Sequence, residues 1–390
     1  MIKIILYILL YFVYFAGIPY VSVGESASWW DMRLPLVPGA LFGTESSTQP
    51  DCLFSRRRTI LELILVRNIV LQIPVLQFYS QENLQLANVS SLYEYLSLPS
   101  RSALFFLLWD HMMTGIALPK LPYIEYIGGI TAGPARELNN DLKNWADSAT
   151  NGFVMCTFGS MLTAPTESTL EKLFYLFSEL QPLPVIFKIS RENLPEKLIP
   201  RVSKNVLMMD WLPQNDLLGH PNARLFITHA GTNGYGEALY HGVPLIAFPL
   251  MIPQQFIAKR IEALGFGREA SLFTTNNTEL AAMAKEVLID TRYRQRVGKV
   301  SKIMKSRKHP GEVATDAVEH VMEFGADHLR SYGSLSLNII EFFMLDIFGL
   351  VFVLILGLLL IGIYIFSLLL KCIWRMNFLL WKRGIKTKTD

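Results

Sequence analysis

The sequence predicts an α/β protein built on a parallel sheet, followed by one membrane-crossing helix. Two observations carry this. From Gly152 onward, short apolar runs alternate with stretches of helical spacing, the mark of a parallel sheet covered on both faces. Near the end, Ile347 to Leu370 is a run of 24 residues without a charge, and about 20 suffice to span a bilayer as a helix. The 390 residues are 51% hydrophobic and 18% charged. That composition excludes a disordered chain. A net charge of +3 is too weak to indicate nucleic acid.

The elements follow in order. Phe153 to Phe158 reads as a strand ending at Gly159. Thr166 to Leu180 is helical, with Leu170, Leu173, Phe174 and Phe177 on one face. Pro184–Ile189 and Val206–Asp210 read as strands, and so does Leu225–Thr228. Tyr235–His241 reads as a helix, Pro244–Phe248 as a strand, and Thr278–Ile289 as an amphipathic helix. Together they predict a Rossmann-like domain over about Leu121 to Arg330, entered through the charged segment Arg136–Asp147. The region before Pro119 is aromatic and apolar, with segments at Ile60–Leu71, Val75–Tyr79 and Leu104–Trp109.

The ends of the chain carry signals of address. Six basic residues and one acidic residue lie from Lys371 to Asp390, so the rest of the chain is slightly acidic. A basic flank places this end in the cytosol. Lys386 and Lys388 resemble the dilysine retrieval signal of endoplasmic reticulum membrane proteins. A lumenal body would make the sequons at Asn88 and Asn276 glycosylation candidates. Lys3 followed by Ile4–Phe15 has the order of a signal peptide, and equally that of an interior helix leading into a strand at Ile18–Val23. Cys52, Cys156 and Cys372 form neither a disulfide framework nor a metal site.

The densest chemistry lies where the strand ending at Thr228 meets His229-Ala230-Gly231-Thr232-Asn233-Gly234. Ligands of open α/β sheets bind beyond the carboxyl ends of strands. A helix N-terminus there offers N–H groups and partial positive charge to an anion such as diphosphate. His229, Asn233 and Glu237 are four residues apart, so a helix starting near His229 would align them on one face. A carboxylate suits a sugar diol because it accepts two hydrogen bonds. An ordinary glycine-rich turn with capping fits the same spacing. His220 and His241 read as loop and helix-end residues. No cluster has metal-ligand spacing, and no Gly-x-Ser-x-Gly elbow is present.

Trp211–Pro221, Thr228-His229-Ala230-Gly231, Glu237, His241-Gly242-Val243-Pro244, Pro249 and Gln254 resemble the signature of UDP-glycosyltransferases of the UDP-glucuronosyltransferase type. The resemblance extends to Gly128-Gly129, Phe158-Gly159-Ser160 and Glu319-His320-Val321-Met322. It implies a GT-B architecture, in which two Rossmann-like domains face each other. An acceptor-side domain would occupy 1–120 and a UDP-sugar domain 121–337. The membrane-proximal and transmembrane segment would occupy 338–370 and a cytosolic tail 371–390. Trp211 would then stack on uracil and Gln214 meet the uridine. Ser160, Thr228, His229 and Asn233 would meet the diphosphate, with Gly231 in the same set. Glu237 would hold the ribose and Gln254 the transferred sugar. The implied reaction is an inverting transfer of glucuronate or glucose from UDP-sugar to a small lipophilic acceptor, with no metal and no prosthetic group. Homo- or hetero-oligomers are also expected.

Two departures from the family pattern stand out. Its Asp-Gln pair is Pro253-Gln254 here, and proline offers neither a side-chain acceptor nor an N–H. Gln255 is the neighbouring substitute. The family's catalytic His and its partner Asp align before Met1 and near Lys3, and neither is present. The first 120 residues are also short for a complete partner domain, which would need about 150. The expectation is an N-terminally truncated enzyme. Its alternative is a catalytically incompetent member that binds UDP-sugar or pairs with full-length relatives. His111, beside Asp110, is the one candidate replacement base in the N-terminal region.

Overall fold

In the computed structural model, the described residues are 19–24, 102–115, 120–159, 165–330, 339–342 and 344–386. The segments Ile60–Leu71 and Val75–Tyr79, the sequon at Asn88 and Ser160 lie outside them. The chain divides into two units, Met1–Arg330 and Ser331–Asp390.

The first unit contains two parallel sheets. The larger is laid down by the alternating elements that the sequence predicts. Strand β4 (Phe153–Thr157) is buried along its whole length, as an apolar run in a doubly covered parallel sheet must be. Its neighbours are β5 (Val185–Lys188), β6 (Val206–Met209), β7 (Ala223–Thr228), β8 (Leu245–Ala247) and β9 (Gly267–Glu269). Their spatial order is β6-β5-β4-β7-β8-β9. The chain starts in the middle, winds one way, then returns and winds the other. The crevice between β4 and β7 is therefore the topological switch point, where such sheets bind ligands. Thr157 and Thr228 are paired at the carboxyl ends of these two strands.

Helices cover both faces. The helix Glu167–Glu179 buries Leu170, Leu173, Phe174 and Phe177, the face read from the sequence. They join β4, β5 and β7 residues in one apolar cluster. Thr166 caps it by accepting from Thr169 N. The linking segment expected at Arg136–Asp147 is largely helix, Asn140–Ser148, capped by Asn139. Asn276 caps the helix Asn277–Ile289 and also accepts from its sequon partner Thr278.

The smaller sheet holds β1 (Val21–Gly24), β2 (Leu104–Leu107) and β3 (Ile124–Tyr126), all parallel. Strand β3 pairs with β2 through Phe105 and Ile124. The smaller sheet thus reaches past the boundary expected at residue 120. The helix Pro310–Phe324 returns from the far end of the unit to cover it. Ala314, Ala317, Val318 and Val321 pack on Ala103, Leu104, Phe106 and Ile127. Their spacing of three, one and three is the apolar stripe of a helix lying on a surface.

The second unit is dominated by one helix, Leu345–Lys386. Its stretch Leu345–Met376 is long and apolar enough to cross a membrane. The helix continues through Lys371 and Arg375, where the sequence predicts a separate tail. Lys and Arg favour helix, and no Gly or Pro interrupts the chain between Leu370 and Gly384.

Candidate donor-nucleotide site

A cavity of about 880 Å³ opens at the switch point. That is ample for a drug-sized ligand, which needs roughly 300–1,000 Å³. Its floor is the carboxyl ends of three strands, contributing Thr157, Lys188 and Thr228. One side is the first turn of the helix Thr232–His241, here α5, and another is the first turn of Gln214–Leu218, here α4. A loop after β3, Ile130 to Pro134, forms a wall.

The helix α5 begins at Thr232 with Gly231 as its cap residue and no side-chain capping bond. Gly231, Thr232, Asn233 and Gly234 all line the cavity. This is a bare helix N-terminus, the backbone arrangement that attracts an anion. Asn233 and Glu237 lie one turn apart on it, as expected. His229 does not extend their row. It precedes the helix, because Ala230 takes a left-handed φ of 61° and turns the chain before the helix starts. A non-glycine residue there is strained and held by its surroundings.

Two glycines seat the His229 ring. A Cβ at Gly159 would lie 2.8 Å from its Cε1, and a Cβ at Gly231 would lie 2.6 Å from its Nε2. These glycines admit an imidazole. Nδ1 of His229 is buried without a hydrogen-bond partner. Burial lowers its pKa, so the ring is neutral near pH 7 and carries one N–H to donate.

Glu237 is 8% exposed and accepts from Gln214 Nε2 at 2.6 Å. Burial raises its pKa, against the opposing bonds from Gln214 and Thr131. Gln214 and Glu237 thus form one adjoining polar pair in the cavity wall. Trp211 is 69% exposed beside it and offers a flat apolar face.

Asn215 and Asp216 anchor the facing wall. Asn215 accepts from Gly133 N at 3.3 Å and donates to Gly133 O at 3.2 Å. Arg136 N donates to Asp216 Oδ1 at 2.9 Å. His241 Nε2 lies 3.0 Å from Asn215 Oδ1, and burial brings the His241 pKa down to about 4. His220 is a structural residue too, 3.1 Å from Asp147.

The cavity gathers seven of the nine expected contacts: Trp211, Gln214, Thr228, His229, Gly231, Asn233 and Glu237. Ser160 is outside the described residues. Gln254 is not in the lining. It is 7% exposed, and its Oε1 accepts from Leu250 N at 2.8 Å and Met251 N at 3.1 Å. Those bonds cap the helix Ile252–Ala263 and engage the side-chain carbonyl of the residue expected to meet the sugar. Pro253 falls in the first turn of the same helix, where a missing N–H costs nothing.

Lys188 is a residue that the motif reading misses. Its Nζ donates to Gly159 O at 3.0 Å and lies 4.5 Å from the Trp211 ring centroid. Partial burial lowers its pKa. Its signal was a lone cation at the end of an apolar strand. The wall loop and His309 also line the cavity, and nothing local marks them.

His111 lines a different cavity. Its Nδ1 is 2.5 Å from Asp110 Oδ1, and Arg307 Nη2 donates to its Nε2 at 3.0 Å. That lone pair is engaged, so it is not a free base. Among the described residues, no group of three or more His, Cys, Asp or Glu could hold a metal ion.

Comparison with known proteins places this geometry. The profile of the family described as UDP-glucoronosyl and UDP-glucosyl transferase matches residues 66–379. The mouse (Mus musculus) 2-hydroxyacylsphingosine 1-beta-galactosyltransferase is 35% identical over 280 residues, 70% of this chain and 50% of that protein. UDP-glucuronosyltransferase 3A1 of Xenopus laevis is 35% identical over 61% of this chain and 46% of that protein. The chain thus spans about half the length of the curated relatives it matches. Among solved structures, the glycotransferase of kitacinnamycin superposes with a TM-score of 0.58 at 18% identity, covering 81% of this chain and 74% of that one. Os79 from O. sativa in complex with UDP gives 0.54 at 17% identity, over 79% and 74%. These likenesses give the fold, GT-B. The chain belongs to the family of UDP-glucoronosyl and UDP-glucosyl transferases.

Proposed function

We propose that the chain binds a UDP-sugar in the switch-point cavity and belongs to an enzyme that transfers the sugar, with inversion, to a small lipophilic acceptor. The observation that carries this is the uncapped N-terminus of α5 beside a neutral His229 whose Nδ1 has no hydrogen-bond partner. Together they supply fixed donors to a diphosphate. Such donors stabilise the charge that grows on a departing diphosphate, and they need no rearrangement as it forms. Thr228, Asn233 and Lys188 would add to them. The Gln214–Glu237 pair would meet uridine and ribose, with Trp211 on the base. Each would exchange its present partner for the ligand.

The sugar is glucuronate, glucose or galactose. Gln254 Oε1 would reach it only by giving up its capping bonds. We also read Leu345–Met376 as the membrane anchor, with the body in the endoplasmic reticulum lumen and the basic end in the cytosol.

The test is a calorimetric titration of the full chain with UDP, UMP, ADP and CDP. UDP should bind best, and His229→Ala should weaken it about tenfold or more, the scale of a lost hydrogen bond to a charged group. Unchanged affinity would sink the diphosphate assignment. UDP release from UDP-sugars with phenolic acceptors then separates turnover from binding alone.

A further inference from the structure

A second cavity, about 690 Å³, shares Ala132, Pro134 and His309 with the first but is lined mainly by other residues. It lies where the small sheet meets the junction between the helix Thr291–Lys305 and the helix Pro310–Phe324. Much of its lining is apolar or aromatic: Met112, Tyr126, Tyr240, Met304 and Val313.

Its charged groups are nearly all matched internally. Arg307 donates to Asp110 Oδ2 at 3.1 Å and to His111. Lys120 pairs with Glu125 at 2.6 Å, and Lys308 pairs with Asp316. Glu312, also in the lining, makes no ion pair within 4.0 Å among the described residues and acts on Lys308 only through its charge, behind Asp316. His309 donates from Nε2 to Ala132 O at 2.9 Å and accepts at Nδ1 from Gly311 N. Lys305 remains. Its ammonium lies 5.1 Å from the Tyr240 ring centroid and has no carboxylate partner among the described residues. An apolar hollow with one unpaired cation is complementary to a molecule with an apolar body and one negative charge.

We propose that this cavity binds an apolar organic acid. Its carboxylate would pair with Lys305, and its ring or chain would lie on Met112, Tyr126, Met304 and Val313. The donor nucleotide has no part in this site.

The probe is 2-naphthoate, titrated into the full chain in neutral-lipid nanodiscs, with 2-naphthylmethanol as its uncharged counterpart. The acid should bind more tightly than the alcohol, and saturating UDP should not displace it. Lys305→Met should weaken the acid about three- to tenfold and leave the alcohol unchanged. Lys305→Glu should abolish the preference for the acid. Val313→Trp fills the hollow and should remove both ligands while UDP still binds. If Val313→Trp fails to fold, the two Lys305 variants decide. The proposal is overturned by displacement with UDP, by equal affinity for acid and alcohol, by no binding at millimolar 2-naphthoate, or by affinity that ignores Lys305.

Discussion

The two sheets of the first unit are both parallel, yet they are assembled in opposite ways. The six-stranded sheet is built from consecutive strand–helix units, and nearly every strand pairs with one close in sequence. The three-stranded sheet joins Val21 to Leu104 and is covered by a helix that starts at Pro310. One is local and self-covering. The other depends on remote parts of the chain. The switch-point cavity draws on both, because its floor belongs to the large sheet and one wall to the loop after β3.

Val321→Asp puts the largest strain on this contrast. Val321 is 7% exposed and is the buried residue of its helix in the contact with the small sheet. Burying an unpaired carboxylate there should cost about 3 kcal/mol or more. Hydrogen exchange should report opening of β1–β3, while Val154, Phe187 and Ile227 in the large sheet stay protected. Uniform loss of protection in both sheets would show that they fold as one.

Trp211→Ala addresses the cavity wall alone. At 69% exposure the side chain contributes little to packing, so stability should hardly change. If its face stacks on the base, UDP affinity should fall by about 1–3 kcal/mol, the scale of a base–aromatic contact. A uridine-insensitive loss would place its effect elsewhere.

Tyr235→Phe probes the seam between the sheets. Tyr235 is buried, and its hydroxyl donates to Met113 O at 2.7 Å. Removing the donor should destabilise the protein by about 1–2 kcal/mol, seen as a lower melting midpoint. A wild-type midpoint would mean that the seam does not depend on this bond.

A further effect is expected on the pH dependence of stability. His241 is held neutral, with its pKa brought down from 6.5 to about 4, chiefly by burial. Its contribution is complete above the unfolded value and is lost as pH falls through the folded one. The melting midpoint should therefore drop between pH 6.5 and pH 4. His241→Gln should flatten that drop, and an unchanged slope would assign it to other groups. Glu237 works in the opposite sense. Its raised pKa favours stability at low pH, and that advantage is lost as pH rises through the folded value.

How legible each region was follows from the same contrast. In the helix Glu167–Glu179, apolar residues at helical spacing were enough to name the buried face. The strand–turn–helix at Thr228 to Glu237 was legible as a candidate anion site because its chemistry is contiguous. Its phase was not. The left-handed turn at Ala230 and the seating of His229 between Gly159 and Gly231 are contacts between separate loops. Gln254 shows the limit of motif transfer: the residue stands at the expected position, but its carbonyl closes its own helix end.

The sequence by itself determined the family, the parallel α/β body, the apolar C-terminal helix and seven residues that line the switch-point cavity. Those follow from periodicity, composition and contiguous motifs, which need no long-range contact. Only the tertiary structure decided that β3 and the helix Pro310–Phe324 belong with the small sheet, that Lys188 joins the cavity, and that His111 is engaged by Arg307 away from it. Each depends on which remote surfaces meet, and burial and hydrogen bonding are settled only when they do.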